Sequence, residues 1–133
     1  MRSIRLANLK DTEFLVDHDK HIAYDILRDS IEKGYIYILE QDNKIIGWLR
    51  YNLFWDNTPF LNMLYILEEF RNQGLGSQLL EHWEHQMHIQ GYETLMTSTL
   101  VHEDAIHFYL KYGYQVVGGF HPSMDEYEVI LKK

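Results

Sequence analysis

The chain has 133 residues, 46% hydrophobic and 14% aromatic, enough to bury a core of its own. Its formal charge of −8, from 12 Lys and Arg against 20 Asp and Glu, repels phosphate backbones and argues against a nucleic-acid partner. It contains no Cys, which excludes disulfides, thiolate metal sites and cysteine nucleophiles.

Residues 1–133 are expected to form a single domain. The N-terminus lacks the long apolar core of a signal peptide, and no apolar run approaches the roughly 20 residues that span a bilayer. A cytoplasmic protein that avoids membranes is expected. The acids cluster between Asp11 and Glu32, where Asp11, Glu13, Asp17, Asp19, Asp25, Asp29 and Glu32 face only Lys20 and Arg28. This segment is either a solvated helical surface or a lure for a cationic ligand.

In chain order, Ile4–Ala7 alternates apolar and polar residues as a short strand does. Asp11 with Glu13 suits a helix start, and apolar positions from Phe14 to Ile31 predict two short helices broken near Asp19–Ala23. Gly34 stops the second. Tyr35–Glu40 and Lys44–Tyr51 are rich in β-branched and aromatic residues, and Asp42-Asn43 between them suits a two-residue hairpin turn. Asp56–Pro59 predicts another turn, leading into a strand over Phe60–Leu67.

Next comes Arg71-Asn72-Gln73-Gly74-Leu75-Gly76, between that strand and a helix with Leu75, Leu79, Trp83 and Met87 on one face. Gly74 permits positive φ, and a helix start offers unpaired N–H groups and the positive end of a dipole. The turn is therefore suited to a phosphate or pyrophosphate, with Arg71 as an added cation. It is neither a Rossmann fingerprint nor a Walker A loop, because Leu79 occupies the third-glycine position and no Gly-Lys-Ser/Thr follows. A strand over Thr94–Leu100 should lie parallel to Phe60–Leu67. A helix over Asp104–Tyr112 and a closing strand pair, Tyr114–Gly118 and Tyr127–Leu131, complete the chain, with His121-Pro122 in the connecting loop.

The glycine turn resembles the Arg/Gln-x-x-Gly-x-Gly/Ala motif of the GCN5-related N-acetyltransferases (GNAT). Ala105–Tyr114 resembles that family's Ala-x-x-Phe-Tyr-x-x-x-Gly-Phe segment, with Tyr114 in place of the usual Phe. The two stretches stand in the family's order, so the resemblance spans nearly the whole chain. It implies an α/β (α+β) fold: a mixed, mostly antiparallel twisted sheet with helices on both faces. It also implies acetyl-CoA as co-substrate and direct transfer of acetyl to an amine. By position, Arg71, Asn72, Gln73, Gly74, Leu75, Gly76 and Ser77 would hold the pyrophosphate. Ile66, Leu67 and Glu68 would pair with the pantetheine arm as an added strand does. Tyr109 stands where the family protonates the leaving thiolate, and a phenol of pKa about 10 carries that proton at neutral pH. His102 occupies the place of an Asn that often contacts the pantetheine; it keeps a donor but changes the shape.

The Phe60–Leu67 strand lacks the Glu that many members place there. A general base is therefore unassigned among Asp56, Glu68, Glu103 and Asp104, and Asn62 could orient substrate or water. His82, His85 and His88 drift around their helix with no second element to complete a metal site, so no metal is expected. His18 and His21 suit solvated helix positions. The acceptor is a small-molecule or peptide amine, which the acidic composition would favour as a cation. Family members often form homodimers, although the sequence leaves the oligomeric state open. A non-catalytic acyl-CoA-binding module is the alternative.

Overall fold

In the computed structural model, which describes all 133 residues, the run after Gly34 becomes strand β2 (Ile36–Gln41). Successive side chains of a strand point to opposite faces. Tyr37 and Leu39 accordingly enter one core with α3 (Leu75–Ile89), while Ile36 and Ile38 enter a second with α1 (Thr12–His18) and α2 (Tyr24–Glu32). Helices thus cover both faces of the sheet, as expected. Leu79, Leu80, Trp83 and Met87 of α3 are fully buried, each contributing about 1.5–3 kcal/mol of transfer free energy.

The remaining strands are β1 (Arg2–Leu6), β3 (Lys44–Phe54), β4 (Thr58–Ile66), β5 (Met96–Leu100), β6 (Gln115–Ser123) and β7 (Glu126–Lys132). Helix α4 (Ala105–Lys111) precedes β6. The sheet order is β1-β2-β3-β4-β5-β7-β6, and only the β4–β5 pair is parallel. Asp42 and Asn43 both adopt positive φ (51° and 67°), as the predicted hairpin turn requires.

One irregularity shapes the centre of the sheet. Arg50 of β3 pairs with Met63 of β4, but Tyr51 pairs with Leu61, leaving Asn62 as an extra residue. Such a bulge bends its strand. On its other side β4 pairs with β5 only at Phe60–Met96 and Leu61–Thr97. The pairing stops where the bulge begins, and a cleft opens between the two strands.

Several local expectations need correction. The turn before β4 is centred on Trp55 and Asp56, the residues with positive φ, and Thr58 and Pro59 already belong to the strand, which ends at Ile66. Strand β5 spans Met96–Leu100, and Leu95 continues its pairing with β7 by exchanging backbone hydrogen bonds with Lys133. His121-Pro122 lies inside β6, with Met124 and Asp125 forming the turn to β7. Helix α1 starts directly after Asp11, with Glu13 in its first turn, as expected, but the Asp11 side chain does not cap it: Asn8 and Asp11 exchange reciprocal side-chain bonds around a short 3-10 turn before α1. His21 lies in the α1–α2 connection rather than on a helix.

The acidic segment also divides. Asp11 is buried against Arg5, which donates to both its carboxylate oxygens at 2.8 and 2.9 Å. Asp19 is buried and accepts from Arg50 Nε at 2.9 Å and Trp48 Nε1 at 3.3 Å. These two carboxylates anchor the helices to the sheet and are not available to a ligand.

Candidate active site

Gly74 adopts φ 77° and precedes α3, the left-handed conformation that its lack of a side chain permits. No side chain caps α3 and no acid occupies its first turn. The first N–H groups of a helix have no intrahelical acceptor, so this end presents free donors and a positive potential. Asn72 also has positive φ, 64°, turning the chain into the glycines. Arg71 is held beside them: its guanidinium lies 4.9 Å over the Tyr65 ring, and Nε donates to the Ile66 carbonyl at 2.8 Å.

A cavity of about 420 Å³ runs from this turn along the free edge of β4. Arg71, Asn72, Gly74, Leu75, Gly76 and Ser77 line it at the helix end. Leu64, Tyr65 and Ile66 line it from β4, and Ala105, Phe108 and Tyr109 from α4. Ser77 and Tyr112 hydrogen-bond through their hydroxyls, tying the first turn of α3 to α4.

Other expected site residues stand outside this lining. Leu67 turns back so that its N–H donates to the Ile46 carbonyl, and Glu68 begins an exposed 3-10 turn. Gln73 accepts from Arg2 Nη2 at 3.0 Å. His102 is exposed in the turn before α4 and lines neither this cavity nor its neighbour. Leu64 and Tyr65, which the sequence does not single out, line the cavity with Ile66, whereas Leu67 and Glu68 lie beyond the end of β4.

A second cavity, about 480 Å³, opens on the other side of the strand separation. Its walls include Asn62 and Met63 of β4, Thr97 and Thr99 of β5, His21, Glu103, and Glu126 and Glu128 of β7. Leu64, Ala105 and Tyr109 are common to both cavities. Tyr109 therefore stands, with Leu64 and Ala105, in the wall shared by the glycine-turn cavity and an acid-rich one.

Tyr109 is 6% exposed. Burial pushes its phenol up to about 12, since a phenolate there would lose its hydration, while the neighbouring Thr97 hydroxyl acts the other way. Thr97 commits its own proton to the Leu61 carbonyl at 3.0 Å, so burial prevails. The group keeps its proton at neutral pH. Of the four carboxylates considered as a base, Glu103 alone lines either cavity. No group of three or more His, Asp or Glu side chains is arranged to hold a metal ion.

The GNAT acetyltransferase domain model matches residues 32–116, and the chain belongs to the GNAT family. A GNAT-family acetyltransferase from Bacillus cereus superposes with a TM-score of 0.80 at 22% identity, covering 100% of this chain and 96% of that one. The PaiA N-acetyltransferase of Thermoplasma acidophilum, solved in complex with coenzyme A, gives 0.83 at 17% identity over 100% and 98%. In sequence, the uncharacterized N-acetyltransferase YesJ of Bacillus subtilis is 27% identical over 110 residues. That match takes in 69% of this chain and 61% of YesJ.

Proposed function

We propose that this protein transfers an acetyl group from acetyl-CoA to a primary amine within a ternary complex. The observation that carries the reading is the position of Tyr109, buried in the wall shared by the two cavities. The pyrophosphate would sit on the glycine turn between Arg71 and Ser77, with the pantetheine arm laid along Leu64–Ile66 where β5 has withdrawn. His102 has no role in this arrangement. The thioester would then lie beside Tyr109, and the acceptor would enter through the second cavity.

The chemistry follows from those placements. A neutral amine attacks the thioester carbonyl, the C–N bond forms, and the C–S bond breaks. The proton lost by the amine passes, directly or through water, to the carboxylate wall and ultimately balances the departing thiolate. A thiol of pKa about 8.5 is a stronger acid than a phenol near 12, so complete proton transfer from Tyr109 to sulfur is uphill. Tyr109 acts as a preorganised hydrogen-bond donor to the charge building on sulfur. The enzyme's larger contribution is to hold both reactants in line, worth up to about 7–11 kcal/mol in well-oriented systems.

The test is thiol release from acetyl-CoA with a panel of primary amines. Amine-dependent release with acetylated product supports the reading. Tight CoA binding without release on any amine would identify a non-catalytic acyl-CoA-binding module.

A further inference from the structure

The five arginines of the chain divide into two groups. Arg5, Arg28 and Arg50 each reach a carboxylate within 4.0 Å, those of Asp11, Glu32 and Asp19 respectively. Arg2 and Arg71 have no such partner, and both stand at the glycine turn. Arg71 is the first residue of that turn, whereas Arg2 comes from the start of the edge strand β1. A chain of charge −8 repels a polyanion such as CoA at long range, so two uncompensated guanidinium groups at one turn set a local field against the net charge.

The bonds around Arg2 explain why its charge stays free. Its Nε donates to Gln41 Oε1 at 2.7 Å and its Nη2 to Gln73 Oε1 at 3.0 Å. Two neutral amide oxygens orient the guanidinium fork without neutralising it. The acids on either side of Gln41 are committed elsewhere. Glu40 lies 3.3 Å from Arg5 Nε, and Asp42 accepts from the Met1 amino group at 2.7 Å. Glu68 and Glu69, just before Arg71, form an ion pair with neither arginine. Gln73 is the one residue from Arg71 to Ser77 that does not line the first cavity, and Arg2 and Gln41 do not line it either. The β1–β2 end of the sheet thus braces the turn from outside the cavity.

We infer that Arg2, which lies outside both sequence motifs, is a positioning residue for the phosphate-bearing end of acyl-CoA. It holds the glycine turn through Gln73 and adds its charge to the field of Arg71 and the start of α3. The inference rests on the proposed use of acetyl-CoA, and its test reads binding rather than turnover. Calorimetric titration with CoA at about 0.05 M salt compares the parent with variants. Arg2→Gln binds about fivefold more weakly, and Arg2→Lys, which keeps the charge, returns to within about twofold of the parent. The Arg2→Gln loss fades as salt is raised toward about 1 M, where the screening length is about 3 Å. Gln73→Ala, which keeps the charge and frees it from the turn, loses less than Arg2→Gln. Lys10→Gln removes the same charge beyond the far end of β1 and leaves CoA affinity unchanged. With dephospho-CoA, an Arg2→Gln loss of the same size assigns the effect to the pyrophosphate, and a smaller one assigns it to the ribose phosphate.

Unchanged CoA affinity in Arg2→Gln overturns the inference. So does a loss that Arg2→Lys fails to recover, or one that is as large in high salt, since a merely structural role for Arg2 predicts both. A parent that binds no CoA overturns the acetyl-CoA reading and this inference with it, whereas a parent that binds CoA without regard to Arg2 overturns the inference alone.

Discussion

Leu61 and Thr97 are the last residues at which β4 and β5 keep parallel register, and the Thr97 hydroxyl also donates to the Leu61 carbonyl at 3.0 Å. Immediately beyond, Asn62 bulges out of the ladder and the strands separate. The side-chain bond ties the strands together at the root of the cleft. Thr97→Val removes that donor from a fully buried site and leaves the carbonyl dependent on its other contacts. A loss of about 1–2 kcal/mol is expected by urea unfolding.

Tyr109→Phe deletes the hydroxyl in the shared wall and keeps the ring that packs against Tyr114 and Phe108. Turnover should fall about a hundredfold, in the range of a lost preorganised hydrogen-bond donor, with CoA affinity within about twofold of the parent. Burial holds the phenol near 12, so its deprotonation should not limit the rate below about pH 10. A pH–rate profile with a fall at pH 8–9 that disappears in Tyr109→Phe would contradict this assignment.

Gly74 and Gly76 should respond differently to substitution. At φ 77°, Gly74 tolerates a side chain poorly, although no atom lies within 4 Å of a Cβ built there. Gly74→Val is expected to cost about 1–2 kcal/mol of stability from backbone strain and to weaken CoA binding by about tenfold or more. The Cβ of Gly76→Ala meets Phe108 at an ordinary 3.9 Å, so that protein should fold as stably as its parent. Thermal unfolding together with CoA titration separates the two effects.

Asp19 and Arg50 form a buried ion pair that fastens the α1–α2 connection, and with it His21, to β3. Asp19→Ala strands the Arg50 guanidinium without its counter-ion, and a loss of about 3–5 kcal/mol is expected. The Asp19→Ala/Arg50→Met double variant should recover much of it. A single variant as stable as the parent in denaturant would remove the pair from its structural role.

Asp11 gives a pH-dependent contribution. Burial alone would raise its carboxyl, but the hydrogen bonds from Arg5 and the Asn8 N–H, together with the Arg5 charge, hold it below the ordinary 3.8. A carboxyl depressed in the folded state stabilises the fold above its unfolded pKa, and the effect is lost as pH falls through the folded value. Asp11→Asn should therefore be less stable than the parent at pH 7, with the gap closing toward pH 2–3. A gap that widens in acid would reverse the assignment.

What the sequence determined by itself is what short-range chemistry encodes. Gly74 at positive φ, the Asp42-Asn43 hairpin, the apolar face of α3 and the β-branched and aromatic run Tyr35–Glu40 are local features. Steric freedom and side-chain periodicity make them legible one segment at a time. Together with the order of the two motifs, they were enough to predict the sheet and its helical cover.

The tertiary structure decided the rest, because it depends on residues distant in the chain. The end of β4 at Ile66 has no compositional signature, yet it leaves Leu64 and Tyr65 lining the cavity while Leu67 and Glu68 fall beyond the strand. Asp11 and Asp19 look like solvent-facing acids until Arg5 and Arg50 are brought against them across the sheet. Glu103, Glu126 and Glu128 come to line one cavity only because β7 inserts between β5 and β6, bringing together carboxylates more than 20 residues apart. Charge and donor type are properties of single residues; burial and pairing are set by which strands meet.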